Sequence, residues 1–271
     1  PLTALRLAEL ALEVGFPPGV INVITGSGEV TGAALAAHPG VNKLTFTGST
    51  EVGRLIGKAA MEDMRRVTLE LGGKSPVIIM DDCSVEQAIE GAAGAIFFNG
   101  GEVCTAGSRL YIQSGIYDKV IEGLAAAAKS MKVGSGFDPE SQIGPMVSAR
   151  HQKRVMSYIE AGRASGARMV AGGQPWDGPG YFVNPTIFAD ADPNSSIVRE
   201  EIFGPVLAAA RFNTEEEAVR MANDTVYGLG ASVWTNDIGR MNRLVPQIQA
   251  GTVWVNAHNL VDPNLPFGGF K

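Results

Sequence analysis

An α/β fold organised around parallel strands is what this sequence predicts, and three observations carry the prediction. Short β-branched runs alternate with helical segments along the whole chain, glycine-rich turns separate them, and of the 271 residues 45% are apolar and a further 34 are glycines. That composition belongs to a globular, turn-rich chain and not to a disordered one. Strands that alternate with helices pair in parallel through right-handed crossovers, and such crossovers cover both faces of the sheet.

The elements follow in order. Residues 2–14, "LTALRLAELALEV", place apolar side chains at helical spacing, and "GFPPG" ends the helix. "VINVITG" (20–26) reads as a buried strand that stops at a glycine. "GEVTGAALAAH" is a short helix, "VNKLTFTG" (41–48) a second strand, "STEVGRLIGKAAMEDM" a second helix and "RRVTLELGG" a third strand. "SPVIIM" (75–80) continues the alternation. In "CSVEQAIEGAAGAIFF", Val85, Ala88, Ile89, Ala92, Ile96 and Phe97 form one apolar helical face, and Ser84 with Gln87 suggests a capping box. Beyond Asn99-Gly100-Gly101 come the strand "RLYIQ", helices over about 117–132 and 148–164, then "YFVNPTIF", "GPVLAAARF", the helix "TEEEAVRMAND", "GLGASVWT" and "GTVWVN". There is no internal repeat, and Gly72-Gly73 is the softest boundary.

Charge and cysteine usage narrow the function. The 28 acidic and 22 basic residues are interspersed, with a net charge of −6 and no like-charge block. Such a chain lacks the basic footprint of a nucleic-acid binder, so small molecules are the expected partners. Cys83 and Cys104 are the only cysteines; no zinc-ligand spacing or disulfide framework can be built from them, and this usage suits a reducing, cytoplasmic setting. No apolar run approaches the length of a membrane span.

Cys104 is the first candidate for chemistry. A thiolate is the strongest side-chain nucleophile near neutral pH, and "NGGEVCTAGSR" surrounds this one with small residues that permit close approach and supply backbone N–H groups. A lone cysteine is more often a buried structural residue, so the local sequence leaves both readings open. Cys83, in "DDCS", reads as structural. The histidines offer Cys104 no evident base: His38 ends a helix, His151 starts one, and His258 lies in a loop near the end. Glu70, at the end of an apolar strand, is better suited to act on a substrate through water, although capping or ion pairing is the commoner use of such a carboxylate. "GSGEVTG" and "GSTEVGR" match neither the dinucleotide fingerprint nor a P-loop, yet both stand where a strand enters a helix, as phosphate-facing turns do.

Taken together, "FTGSTEVGR", "LELGGKSP", "FFNGGEVCTAGSR", "EEIFGPV", "GTVWVN" and "PFGGFK" occur in the order found in the NAD(P)-dependent aldehyde dehydrogenase superfamily, which the chain resembles over essentially its whole length. The resemblance implies a Rossmann-type parallel sheet portion followed by a second α/β catalytic domain. Residues 1–72 would be the C-terminal part of the NAD(P)-binding domain, and 73–271 the thiol domain, with about the last 20 residues returning toward the cofactor domain. It further implies oxidation of an aldehyde to a carboxylic acid through a thiohemiacetal and a thioester on Cys104, with Glu70 activating the hydrolytic water and the Cys104 N–H serving the oxyanion. Gly48, Ser49 and Val52 match the pyrophosphate contacts and Gly26 the adenine side. Leu71, Glu201 and Phe203 match the nicotinamide end. Phe98, Val103, Thr105, Val261 and Phe267 fall where the family lines its substrate tunnel, whose apolar character favours hydrophobic or aromatic aldehydes.

The resemblance implies NAD or NADP as cofactor, NAD being favoured, no metal, and a homodimer or homotetramer. Two family features, an oxyanion-hole asparagine and a ribose-binding lysine, match positions before Pro1, and the family continues beyond Lys271. The expectation is therefore a segment of a longer enzyme. The alternative is a truncated or non-catalytic relative that binds nucleotide or a partner without turnover. A CoA-acylating relative is disfavoured by the carboxylate at Glu70.

Overall fold

The computed structural model describes all residues, 1–271, and divides the chain into two units, Pro1–Glu70 and Leu71–Lys271. In the smaller unit, helix α1 (Leu2–Glu13) precedes an extended stretch, one π-helical turn at Gly28–Gly32 and helix α2 (Ala33–Ala37). Strand β1 (Lys43–Thr47), helix α3 (Thr50–Glu62) and strand β2 (Arg66–Glu70) then form a βαβ unit. Its strands pair in parallel from Lys43 opposite Arg66 to Thr47 opposite Glu70. Ala36, Leu44 and Ala60 make its small core.

One expectation fails here. Residues 20–26 form no strand, because a strand exists only with a hydrogen-bonding neighbour and β1–β2 is the only ladder the unit contains. Val20, Ile21 and Ile24 are exposed there instead of buried.

The larger unit is built on one seven-stranded sheet. In chain order its elements are β3 (Pro76–Ile79), α4 (Val85–Phe97), β4 (Arg109–Gln113), α5 (Tyr117–Ser130), α6 (Ala149–Ala164), β5 (Arg168–Ala171), β6 (Thr186–Ala189), α7 (Ser196–Arg199), β7 (Val206–Phe212), α8 (Glu215–Asn223), β8 (Gly230–Trp234), α9 (Ile238–Leu244) and β9 (Thr252–Val255). The strands lie in the order β5-β6-β7-β4-β3-β8-β9, and every pair is parallel except β5–β6 at one edge. Continuous apolar runs at the centre fit this arrangement: all four residues of β3 are buried, as a parallel strand covered on both faces requires.

Helix α4 decides where the cysteine turn sits. Ser84 caps it by accepting the Gln87 N–H, while its own hydroxyl bonds to Glu86, so the capping box is one-sided. Small residues let α4 lie close to its neighbours. A Cβ at Gly91 would overlap the Trp234 ring, and one at Gly123 of α5 would overlap the Ile89 side chain. Ala88, Ala92, Ala95, Ile96 and Phe97 join the main core beneath it.

Two cations lie inside this unit. Arg109, 1% exposed, donates to the carbonyls of Lys74, Met221 and Ala222 and to the Tyr111 hydroxyl at 2.8 to 3.1 Å. Lys74 is equally buried, yet its Nζ has no hydrogen-bond partner. The chain end packs on the same unit, with the Phe270 N–H on the Gly228 carbonyl at 2.8 Å and the Lys271 Nζ on the carbonyls of Asn223 and Thr225 at 2.9 Å.

Candidate active site

The chain leaves α4 through a tight turn at Phe98–Gly101 in which Asn99, Gly100 and Gly101 all take left-handed φ, at 51°, 63° and 73°. Glycine accepts that conformation without steric cost. Gly101 is also bound by contact, since a Cβ there would overlap the Gly204 carbonyl. The Asn99 carboxamide closes the turn by donating to the Glu102 carbonyl at 3.1 Å. Cys104 follows directly, half-buried and outside any disulfide.

The chain around it is closely packed. Gly73 lies so close that a Cβ would overlap the Cys104 carbonyl, and the Gly107 N–H donates to the Ala95 carbonyl at 2.9 Å. Thr105 is 4% exposed, and its hydroxyl donates to the Asn259 Oδ1 at 2.7 Å. At Cys83, burial and the neighbouring Asp82 push the thiol up to about 11, which leaves it a poor nucleophile at neutral pH.

The Gly72–Lys74 segment is shaped around Glu201. The Gly73 N–H donates to the Glu201 Oε1 at 3.1 Å, and a Cβ at Gly72 would overlap the same carboxylate. Burial raises the Glu201 carboxyl, opposed by the Gly73 N–H and by the positive charges of Lys74 and Arg154. Two residues on, Phe203 takes a left-handed φ of 62°, rare for a bulky side chain, and its carbonyl accepts the His151 Nε2–H at 2.6 Å. The His151 and Phe203 rings meet edge to face at 6.1 Å.

The expected substrate residues separate into groups. An open cavity of about 300 Å³ is lined by Gly91, Gly94, Ala95, Phe98, His258 and Asn259. Phe98 is 65% exposed at its edge, Thr105 lies behind Asn259, and Val103 packs against the main core. Val261 and Phe267 are exposed and do not line that cavity. Leu71 is half-buried at the start of the larger unit.

In the smaller unit, Gly48 ends β1 with its N–H on the Glu70 carbonyl at 3.0 Å, and Ser49 caps α3 by accepting the Val52 N–H at 3.3 Å. Val52 is 41% exposed in the first turn of that helix. Gly26 lies in the extended stretch beside Thr31, whose side chain a Cβ would overlap. Glu70 closes β2, and its Oε2 is buried without a hydrogen-bond partner.

Two residues at the site carry little signal in the sequence. His258 lies in a loop near the chain end, yet it bonds to Thr105 next to the cysteine. Lys74 is buried beside the Glu201 segment, and only its place in the run "GGKSPVII" hinted at it. No cluster of side chains suited to a metal is present.

A parallel α/β unit thus presents a half-buried cysteine after a glycine turn, with Gly73 lying against both its carbonyl and the Glu201 carboxylate. Comparison with known proteins identifies the family. The profile of the aldehyde dehydrogenase family matches residues 1–271. Phenylacetaldehyde dehydrogenase of Pseudomonas fluorescens is 54% identical over 275 residues, spanning 100% of this chain and 54% of that protein. Human mitochondrial aldehyde dehydrogenase is 48% identical over 272 residues, spanning 100% and 53%. The NAD+ complex of aldehyde dehydrogenase from Bacillus cereus superimposes with a TM-score of 0.98 at 44% identity, covering 100% of this chain and 55% of that one. The chain therefore belongs to the aldehyde dehydrogenase family, and it spans about half the length of the curated relatives it matches.

Proposed function

We propose that the protein carrying this chain oxidises hydrophobic or aromatic aldehydes to carboxylic acids with a nicotinamide dinucleotide, through a thioester on Cys104. The observation that carries the reading is the placement of Cys104. A half-buried thiol follows three consecutive left-handed residues, and its backbone is pressed against Gly73, which leaves no room for any other residue there.

The residues fit the cofactor. Glu201 commits only Oε1 to the Gly73 N–H, so Oε2 remains for a sugar hydroxyl, and Gly72 keeps the space against the carboxylate clear. Phe203 and Leu71 belong to the same nicotinamide end in this reading. In the smaller unit, Gly48, Ser49 and Val52 at the start of the 13-residue α3 suit a pyrophosphate, since a helix N-terminus presents N–H groups and positive potential to an anion. When bound, the nicotinamide supplies the two-electron acceptor.

The chain's own residues do the rest. The Cys104 thiolate adds to the aldehyde carbon, its Sγ–C bond forming as the carbonyl π pair moves to oxygen. After oxidation the acyl group remains on Sγ as a thioester. Glu70 is assigned to take a proton from the water that attacks it, releasing the acid and regenerating the thiolate. The name of the Pseudomonas relative supports an aromatic substrate, and the small side chains of Gly91, Gly94 and Ala95 leave room for a ring beside Phe98. NAD is the preferred dinucleotide in this reading, in line with the NAD+ complex of the Bacillus structure.

The test is NADH and NADPH formation with a panel of aromatic and aliphatic aldehydes, alongside Cys104→Ser. Thiol-dependent NADH formation that favours aromatic aldehydes is expected. Full activity in Cys104→Ser would overturn the reading.

A further inference from the structure

His258 is a half-buried histidine that the proposed chemistry does not use. Its Nε2 lies 2.8 Å from the Thr105 carbonyl and its Nδ1 2.9 Å from the Ser232 Oγ. Ser232 is fully buried on β8, and the Trp254 ring packs on the imidazole at 4.8 Å between centroids. A carbonyl oxygen can only accept, so Nε2 carries the proton and donates. Nδ1 then accepts the Ser232 hydroxyl, and one neutral tautomer satisfies both bonds. Burial pushes the ring down to about 4, which keeps it in that neutral form.

The next residue completes the grip. Asn259, in left-handed conformation at φ 58°, accepts the Thr105 hydroxyl at 2.7 Å. The loop that carries both residues is tied down by the Trp254 Nε1–H on the Leu260 carbonyl at 2.8 Å. Thr105 is thus held at its carbonyl and at its hydroxyl by two consecutive residues far away in sequence. On the other side the Cys104 carbonyl lies against Gly73.

We propose that His258 is a positioning residue for the Cys104 thiol: its Nε2–H, with the Asn259 carboxamide, clamps Thr105 and thereby fixes the backbone from which Sγ projects. The proposal rests on the reading of Cys104 as nucleophile. A displacement of the reacting atom by about 1 Å can cost on the order of a hundredfold in rate, so a clamp on the adjacent residue acts on turnover more than on substrate affinity.

The experiment compares His258→Phe, which keeps a ring and loses the donor, with His258→Gln, whose amide N–H can reach the same carbonyl, and with Thr105→Val, which removes the hydroxyl half of the clamp. Each is assayed in the protein that carries this chain for kcat and aldehyde KM, for the iodoacetamide alkylation rate of Cys104 read by peptide mass, and for Tm. His258→Phe should lower kcat by roughly tenfold to a hundredfold and change the alkylation rate, His258→Gln should recover most of both, and Thr105→Val should fall between. Unchanged kcat and alkylation in His258→Phe, or a His258→Gln variant as impaired as His258→Phe at equal Tm, would overturn the clamp. Should His258→Phe fail to fold, Thr105→Val still decides the matter: wild-type kcat and alkylation in that variant would overturn the clamp, and a loss in both at equal Tm would support it. A Cys104→Ala control that still turned over would instead overturn the nucleophile assignment, which keeps the two failures apart.

Discussion

Replacing Lys74 by methionine should make this protein more stable. The side chain is 1% exposed and its Nζ has no hydrogen-bond partner. Burial, reinforced by the charge of Arg109 and only partly offset by Glu201 and Glu200, pushes the ammonium down from 10.5 to about 7. The native state therefore releases the proton at a pH where the unfolded chain still holds it. Stability rises with pH from about 7 to about 10.5, by roughly 1.4 kcal/mol per pH unit, and the full gain is lost again as pH falls to 7. At pH 7 the accumulated penalty is about 4 kcal/mol, which a methionine of similar shape does not incur. The assay is urea unfolding of both proteins at pH 7, 8 and 9, followed by tryptophan fluorescence. Lys74→Met should be the more stable at pH 7, with a gap that narrows toward pH 9. A variant that is less stable at pH 7, or that keeps the wild-type pH slope, would refute the reasoning.

Three other outcomes follow from the same geometry. Gly73→Ala places a methyl group into the Cys104 carbonyl, backbone against backbone, and should cost about 3 kcal/mol or more, seen as a lowered Tm and loss of turnover. His258, held neutral with its folded value near 4 against 6.5 when unfolded, should make the native state lose about 3 kcal/mol as pH falls from 6.5 to 4, a slope that His258→Gln abolishes in denaturant titrations. If Glu201 holds the cofactor ribose as proposed, Glu201→Gln should weaken NAD+ binding by about tenfold in calorimetry, a charge-assisted hydrogen bond becoming a neutral one.

The central elements were legible in the sequence because burial on both faces leaves short, largely apolar runs: "PVII", "RLYIQ" and "GASVW" all became inner strands. The Ser84 cap and the apolar face of α4 were equally plain. The local pattern failed where partners decide the outcome. "VINVITG" has the composition of a strand but no neighbour to pair with in its unit. The edge strand β5 and the short α7 and α9 carry too few residues to show a period. Cys104 and Glu70 stood out through their ordered motifs. His258 did not, since its role depends on Ser232 and Thr105, both distant in sequence. Arg109 was hidden for the same reason: an arginine inside an apolar run reads as a strand end, and only tertiary carbonyls make its burial possible.

The most direct test of the account is to trap the acyl group. Glu70→Gln would be incubated with an aromatic aldehyde and NAD+, quenched in acid, digested and examined by mass spectrometry. The account predicts one acyl adduct on the peptide carrying Cys104, a burst of NADH matching it, and neither in Cys104→Ser. An adduct on Cys83, or NADH formation that persists without Cys104, would contradict it.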